Sequence, residues 1–164
     1  ILNEMENNYN IPIDDSTKDS SEEYEEQRKK RGWSDYDLWD FNSYATELIA
    51  NALKAYRRRQ SGHPILETSI KEEFEGGSNR NKERWEAELD HMITAFEMAT
   101  RVAKGIDTYI PSDNWDQEIY ESCVETDKEF ESEDYHPHTL TRAESRYMEE
   151  GMLLFVKRIF HLWY

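Results

Sequence analysis

The run Ser34–Arg59, SDYDLWDFNSYATELIANALKAYRRR, decides the fold. Its apolar side chains fall at Leu38, Phe41, Ala45, Leu48, Ile49, Ala52, Leu53 and Tyr56. Steps of three and four place them on one stripe of an α-helix. Ser34 followed by Asp37 has the spacing of a capping box, in which two side chains satisfy the first backbone N–H groups. Asp35, Asp37 and Asp40 near the start, and Arg57, Arg58 and Arg59 at the end, match the helix dipole. Neither Pro nor Gly interrupts the run, and Gly62 and Pro64 stop it. The pattern predicts one helix over 34–59, with a stripe that requires partners. Trp33 stands where a hydrophobic staple against Leu38 would lie.

Two later segments supply those partners. Asn81–Lys104 carries Trp85, Leu89, Met92, Ile93, Phe96, Ala99 and Ala103 at helical spacing, with Asn81 as the expected N-cap and Gly105 as the stop. Arg142–Leu162 is a last helix opened by Thr141 and Glu144. Its expected inward face is Met148, Met152, Phe155, Val156, Ile159 and Trp163. Gly151, on that face, would let a neighbouring helix or ring come close. Between these helices, Pro111–Ser112 is expected to open a shorter acidic helix reaching about Phe130, with Trp115, Ile119, Tyr120 and Cys123 as its stripe. A loop through Pro137 follows. The connection 60–80 contains a turn at 60–64, a helical turn or two over Thr68–Glu75 with Ile70 and Phe74 inward, and a Gly76–Gly77 break. Residues 1–31 are polar and read as a flexible acidic arm, with Leu2, Met5, Tyr9, Ile11 and Ile13 as a short docking strip. The predicted architecture is all-α: a bundle of three long amphipathic helices plus a shorter acidic one. Its domain plan is an arm over 1–31 and one helical domain over 32–164 with an acidic insertion at 106–138.

The chain has 164 residues and a net charge of −16. Residues 106–138 hold 11 acids against 1 base, whereas residues 139–164 hold 3 against 4. Charge so concentrated repels nucleic-acid phosphates and attracts basic protein surfaces. One cysteine, Cys123, leaves no internal disulfide. No apolar run approaches the ~20 residues of a membrane helix, and no secretory leader pattern is visible at the start of the sequence.

Catalytic and metal motifs are sparse. Glu88 and His91 form the Glu-x-x-His pair of helical di-iron proteins, but such sites need that pair twice plus two further carboxylates. Glu47, Glu149 and Glu150 are the available single carboxylates. His136 and His138 with Cys123 do not make four zinc ligands. The acids from Asp127 to Asp134 lack the glycine of a calcium loop. Cys123 lies among acids, which raise a thiol pKa and lower its reactivity. No phosphate loop, dinucleotide turn or nucleophile elbow is present. The reading is a non-enzymatic protein without cofactor or metal. Trp33, Trp39, Trp85, Trp115 and Trp163 are expected to meet mainly in the core at helix ends, and an exposed one would instead mark a partner surface.

Three stretches carry a resemblance: Gly32–Trp39 (GWSDYDLW), Glu83–Glu97 (ERWEAELDHMITAFE) and Glu150–Phe155 (EGMLLF). They resemble small proteins of tailed bacteriophages that share G-[FW]-S-x-x-D-x-W, E-x-W-x-x-x-L-x-x-M-I-x-A-F-E and E-G-[LM]-x-L-F patterns. The resemblance spans the helices, about half the chain, and not the arm or residues 106–138. It implies a helical fold and a phage origin, and brings no catalytic residues.

The functional expectation is a phage accessory protein that binds a basic surface of a host or phage protein through Asp113, Asp116, Glu118, Glu121, Glu125, Asp127, Glu129 and Glu131. Its sharper version is a mimic of nucleic-acid phosphates that inhibits a host factor. The alternatives are a virion structural or assembly component, whose N-terminal arm orders against a neighbour, and a helical metal or small-ligand protein built around Glu88 and His91. These place the protein in the host cytoplasm or the virion, without direct nucleic-acid or membrane contact, and leave a homo-oligomer open.

Overall fold

The computed structural model of the chain describes residues 21–64 and 78–162. The docking strip Leu2–Ile13, the turns expected over 68–75 and Trp163 lie outside the described residues. Six α-helices stand among the described residues: α1 (Ser21–Arg31), α2 (Asp35–Trp39), α3 (Phe41–Arg59), α4 (Ser78–Ala103), α5 (Gln117–Phe130) and α6 (Arg142–Arg158). A 3-10 turn, Ile159–His161, continues α6. Two short strands, β1 (Asp107–Thr108) and β2 (His138–Thr139), complete the list. The fold is mostly helical, and among the described residues no helix is long and apolar enough to cross a membrane. The chain divides into two compact units, Ile1–Phe41 and Asn42–Tyr164.

In the first unit the end of the expected arm is a helix, α1. Its apolar periodicity is absent, which is why pattern reading passes over it. Its charges still follow the dipole, with Glu22 and Glu23 in the first turn and Arg28 to Arg31 in the last. Gly32, at φ 85°, turns the chain out of the helix. The capping box at Ser34 and Asp37 forms as expected: Asp37 N–H donates to Ser34 Oγ at 3.2 Å, and Ser34 N–H donates to Asp37 Oδ2 at 2.7 Å. Arg28 then clamps α1 to α2, its Nε and Nη2 donating to Asp37 at 2.9 and 2.6 Å. Trp33, expected as a staple, carries the Arg31 guanidinium over its ring at 3.9 Å.

The single helix expected over 34–59 is two helices. Asp40 leaves helical geometry (φ −120°, ψ 47°) and α3 restarts at Phe41. An aspartate inside a helix competes for nearby backbone groups, which makes it a natural break point. The buried face matches the predicted stripe only in part, at Leu53 and at Ile49 and Tyr56, which pack against the core. Ser43, Ala50 and Leu53 are buried, whereas Phe41 and Leu48 are more than half exposed.

The second unit is built on α4. Trp85, Leu89, Met92, Ala95 and Phe96 are buried along it. Ala50 and Leu53 of α3 join this cluster, and Met152, Leu154 and Phe155 of α6 pack against it. The Trp85 indole N–H donates to Gln60 Oε1 at 3.0 Å, so its one polar atom is satisfied. Arg57 pairs with Glu86 and Asp90, Lys54 with Glu97 and Lys104 with Glu47, lining the flank of α3 and α4 with opposite charges. Asn81 is not the N-cap. The helix begins three residues earlier, and the buried Asn81 amide donates to the Pro64 carbonyl at 2.9 Å. At the other end Gly105 (φ 66°) forms a Schellman stop, with Ile106 N–H on Arg101 O and Gly105 N–H on Val102 O.

Helices α4 and α6 approach closely at Gly151. A Cβ there would stand 2.5 Å from Ala95 Cβ and 2.9 Å from His91 Cδ2. This is the close approach anticipated from a buried glycine. The capping box of Thr141 and Glu144 opens α6 as predicted. Its last turns depart from the prediction: Val156 is 64% exposed and Ile159 46%.

The acidic segment is not one helix from Pro111. β1 and β2 pair in parallel, Asp107 opposite His138 and Thr108 opposite Thr139, with α5 as the crossover between them. Two-residue strands carry no alternation signal, and parallel partners as distant in sequence as Asp107 and His138 are invisible to local pattern. Buried Asp107 is held by Arg101 at 2.7 and 2.6 Å.

Candidate partner-binding face on α5

Helix α5 starts at Gln117 because Asp116 caps it, its carboxylate accepting from Ile119 N–H at 3.0 Å. The preceding segment is fixed to α6. Glu149 accepts from Tyr109 Oη at 2.7 Å, from Ser112 N–H at 2.9 Å and from the Ser112 hydroxyl. Arg142 Nε donates to the Ser112 carbonyl at 2.9 Å. Burial works to raise the Glu149 carboxyl, but the Ser112 hydroxyl and amide and the Tyr109 hydroxyl overcome it and hold it below its usual range. Burial first, and then the Glu149 charge, pushes Tyr109 up to about 12. On the far side Thr139 Oγ1 donates to Asp127 Oδ2 at 2.6 Å, and Tyr135 Oη donates to Gly105 O at 3.0 Å. Polar pins at both ends thus set the orientation of α5.

The predicted acidic residues divide by this geometry. At about 100° per residue, Glu118, Glu121, Glu125 and Glu129 fall within one arc of roughly 80°. All four are exposed. Glu121 accepts from Gln117 Nε2 at 2.9 Å, one turn away. Asp127 lies on the opposite side of the helix, half-buried against β2. Asp116 works as a cap, and Glu131 faces His136 Nδ1 at 3.3 Å. Asp113 is exposed in the turn before the helix. Lys128 is the one base on α5. Exposed Ile119 and Phe130 flank the glutamate row on one side. Ile119 was expected on the inward stripe. β2 covers the side of α5 that carries Asp127 and leaves Ile119 in water.

Glu88 and His91 are committed to packing. Arg158 donates to Glu88 at 2.8 and 3.2 Å, and Arg84 at 3.2 Å. His91 Nε2 donates to the Tyr147 carbonyl at 2.8 Å, and its ring stacks on Tyr147 with centroids 3.9 Å apart. Among the described residues no three His, Cys, Asp or Glu side chains gather as a metal-holding group. The four described tryptophans do not meet. Trp85 is buried in the core, Trp33 lies under Arg31, Trp115 faces Tyr120 at 5.0 Å, and Trp39 is 75% exposed.

No family model, no curated protein and no solved structure matches the chain.

Proposed function

We propose that this chain is a non-enzymatic phage accessory protein that binds a basic surface of a host or phage protein through the glutamate row of α5. The observation that carries this reading is the placement of Glu118, Glu121, Glu125 and Glu129 on one exposed face of a pinned helix. Four like charges on one face repel one another, and a cationic partner relieves that repulsion. The phage origin rests on the resemblance of the three helical stretches, and α3, α4 and α6 are read as the three-helix bundle that carries α5.

The sharper form is mimicry of a nucleic-acid backbone that occupies a host factor's binding cleft. Along α5 the row offers roughly one charge per 5 Å, against one per about 3.4 Å of axis on a DNA strand. Exposed Asp113 and Asp116 add negative charge ahead of the helix.

The test replaces Glu118, Glu121, Glu125 and Glu129 together with Gln and compares pull-downs from host and infected-cell lysate at low and high salt. A basic protein held at low salt, released at high salt and lost with the quadruple variant is the expected result. Equal recovery by the variant overturns the reading. Recovery only of capsid or tail proteins points to a virion role.

A further inference from the structure

We infer that the exposed aromatic residues Tyr36, Trp39 and Phe41, with exposed Asp40 between the last two in sequence, form a docking surface for an arginine-bearing segment of a partner protein. Tyr36 is 60% exposed, Trp39 75% and Phe41 59%. All three lie in the first unit, within six consecutive residues. The break at Asp40 ends α2 directly after Trp39 and begins α3 at Phe41. Large aromatic side chains are costly to leave in water, and Trp and Tyr are the residue types that dominate binding energy once covered.

The charge of the patch selects the occupant. Residues 32–41 contain three aspartates and no base. Two are neutralised within the unit, Asp35 by Arg31 and Asp37 by Arg28. Asp40 is exposed, and among the described residues no base pairs with it. The same unit already shows this kind of site filled. Arg31 lies over the Trp33 ring at 3.9 Å, bonds to the Asp35 carboxylate and donates to the Trp33 carbonyl at 3.0 Å. Trp33 with Asp35 thus holds one guanidinium from within the chain, and Trp39 with Asp40 presents the same pair of groups to the outside. A planar guanidinium suits it better than an ammonium, because it stacks on an indole while its N–H groups reach a carboxylate. This surface is independent of the α5 row, and either can fail without the other.

The experiment titrates the full chain, with its indole N–H groups observed by NMR, with the peptide (Gly-Arg)4 and with (Gly-Lys)4. The arginine peptide is expected to move the Trp39 resonance and to bind about fivefold more tightly than the lysine peptide. Trp39→Ala is expected to weaken it about tenfold, and Asp40→Asn about threefold. The four-glutamine variant of α5 is expected to retain the Trp39 shift. Both side chains are exposed, so neither change threatens folding. Equal affinity of the wild-type chain for the two peptides, equal binding of the arginine peptide by both patch variants, or an unmoved Trp39 resonance overturns the inference.

Discussion

The described residues of the first unit, 21–41, bury Ser34 and Asp37, both polar. The second unit buries Trp85, Leu89 and Met92 with no exposed surface at all. One is held by a carboxylate that joins a cap to a guanidinium, and the other by apolar packing around α4. The forces differ in range and in sensitivity. Charge-assisted bonds respond to pH and to loss of a single partner. A close-packed core responds to changes in volume.

The largest expected effect breaks the apolar side of this contrast. Trp85→Ala removes the biggest fully buried side chain among the described residues and leaves a cavity, a loss of about 4 kcal/mol. Denaturant unfolding followed by far-UV circular dichroism should show the second unit's midpoint fall accordingly. Retention of that midpoint would mean that Trp85 is not central to the core.

Asp37→Ala tests the polar side. It removes half of the capping box and leaves Arg28 without its buried acceptor, a cost of about 2 kcal/mol. Hydrogen exchange should show α1 and α2 losing protection while α4 and α6 keep theirs. The pH response follows from the same group. Hydrogen bonds from Arg28, opposed by burial and helped by the Ser34 amide and hydroxyl, lower the Asp37 pKa to about 2. A depressed acid contributes its full stability above its unfolded pKa near 3.9 and loses it as pH falls through the folded value. Protection of α1 should therefore decline between about pH 4 and pH 2. Decline at higher pH would point to a different group.

The smallest of these effects sharpens the picture of the α4–α6 seam. In Gly151→Ala the new methyl meets Ala95 Cβ and the His91 ring, and overpacking costs about 2 kcal/mol. The gain in helix propensity returns about 1 kcal/mol, so a net loss of about 1 kcal/mol is expected. Thermal unfolding checks it, and a stabilised variant would mean that the two helices part easily.

Much of the helical content was legible because helix signals are local. Ser34 with Asp37 and Thr141 with Glu144 were readable as capping boxes from three-residue spacings, and both formed. Gly105 was readable as a stop, and Gly151 as a point of close approach. The α3 stripe was legible in part: Ile49, Leu53 and Tyr56 reach the core, while Phe41 and Leu48 stay exposed. Periodicity lists which residues are apolar, while the helix that packs alongside decides which of them are covered, and Phe41 and Leu48 were left out. For the candidate site, the acidic bias of 106–138 was plain. Its sorting into an exposed row of four glutamates, a cap at Asp116 and a pin at Asp127 was not, because that depends on where α5 begins and on its contact with β2.

From its amino-acid order alone this chain is helical, capped at defined positions and strongly acidic in one segment, because dihedral preference, capping and charge act within a few residues. Only the tertiary structure decided that β1 and β2 pair across α5, that Glu149 holds Ser112 and Tyr109, and that Trp39 faces water. Each of those outcomes depends on which distant surfaces meet, and short spacings in the sequence do not encode that.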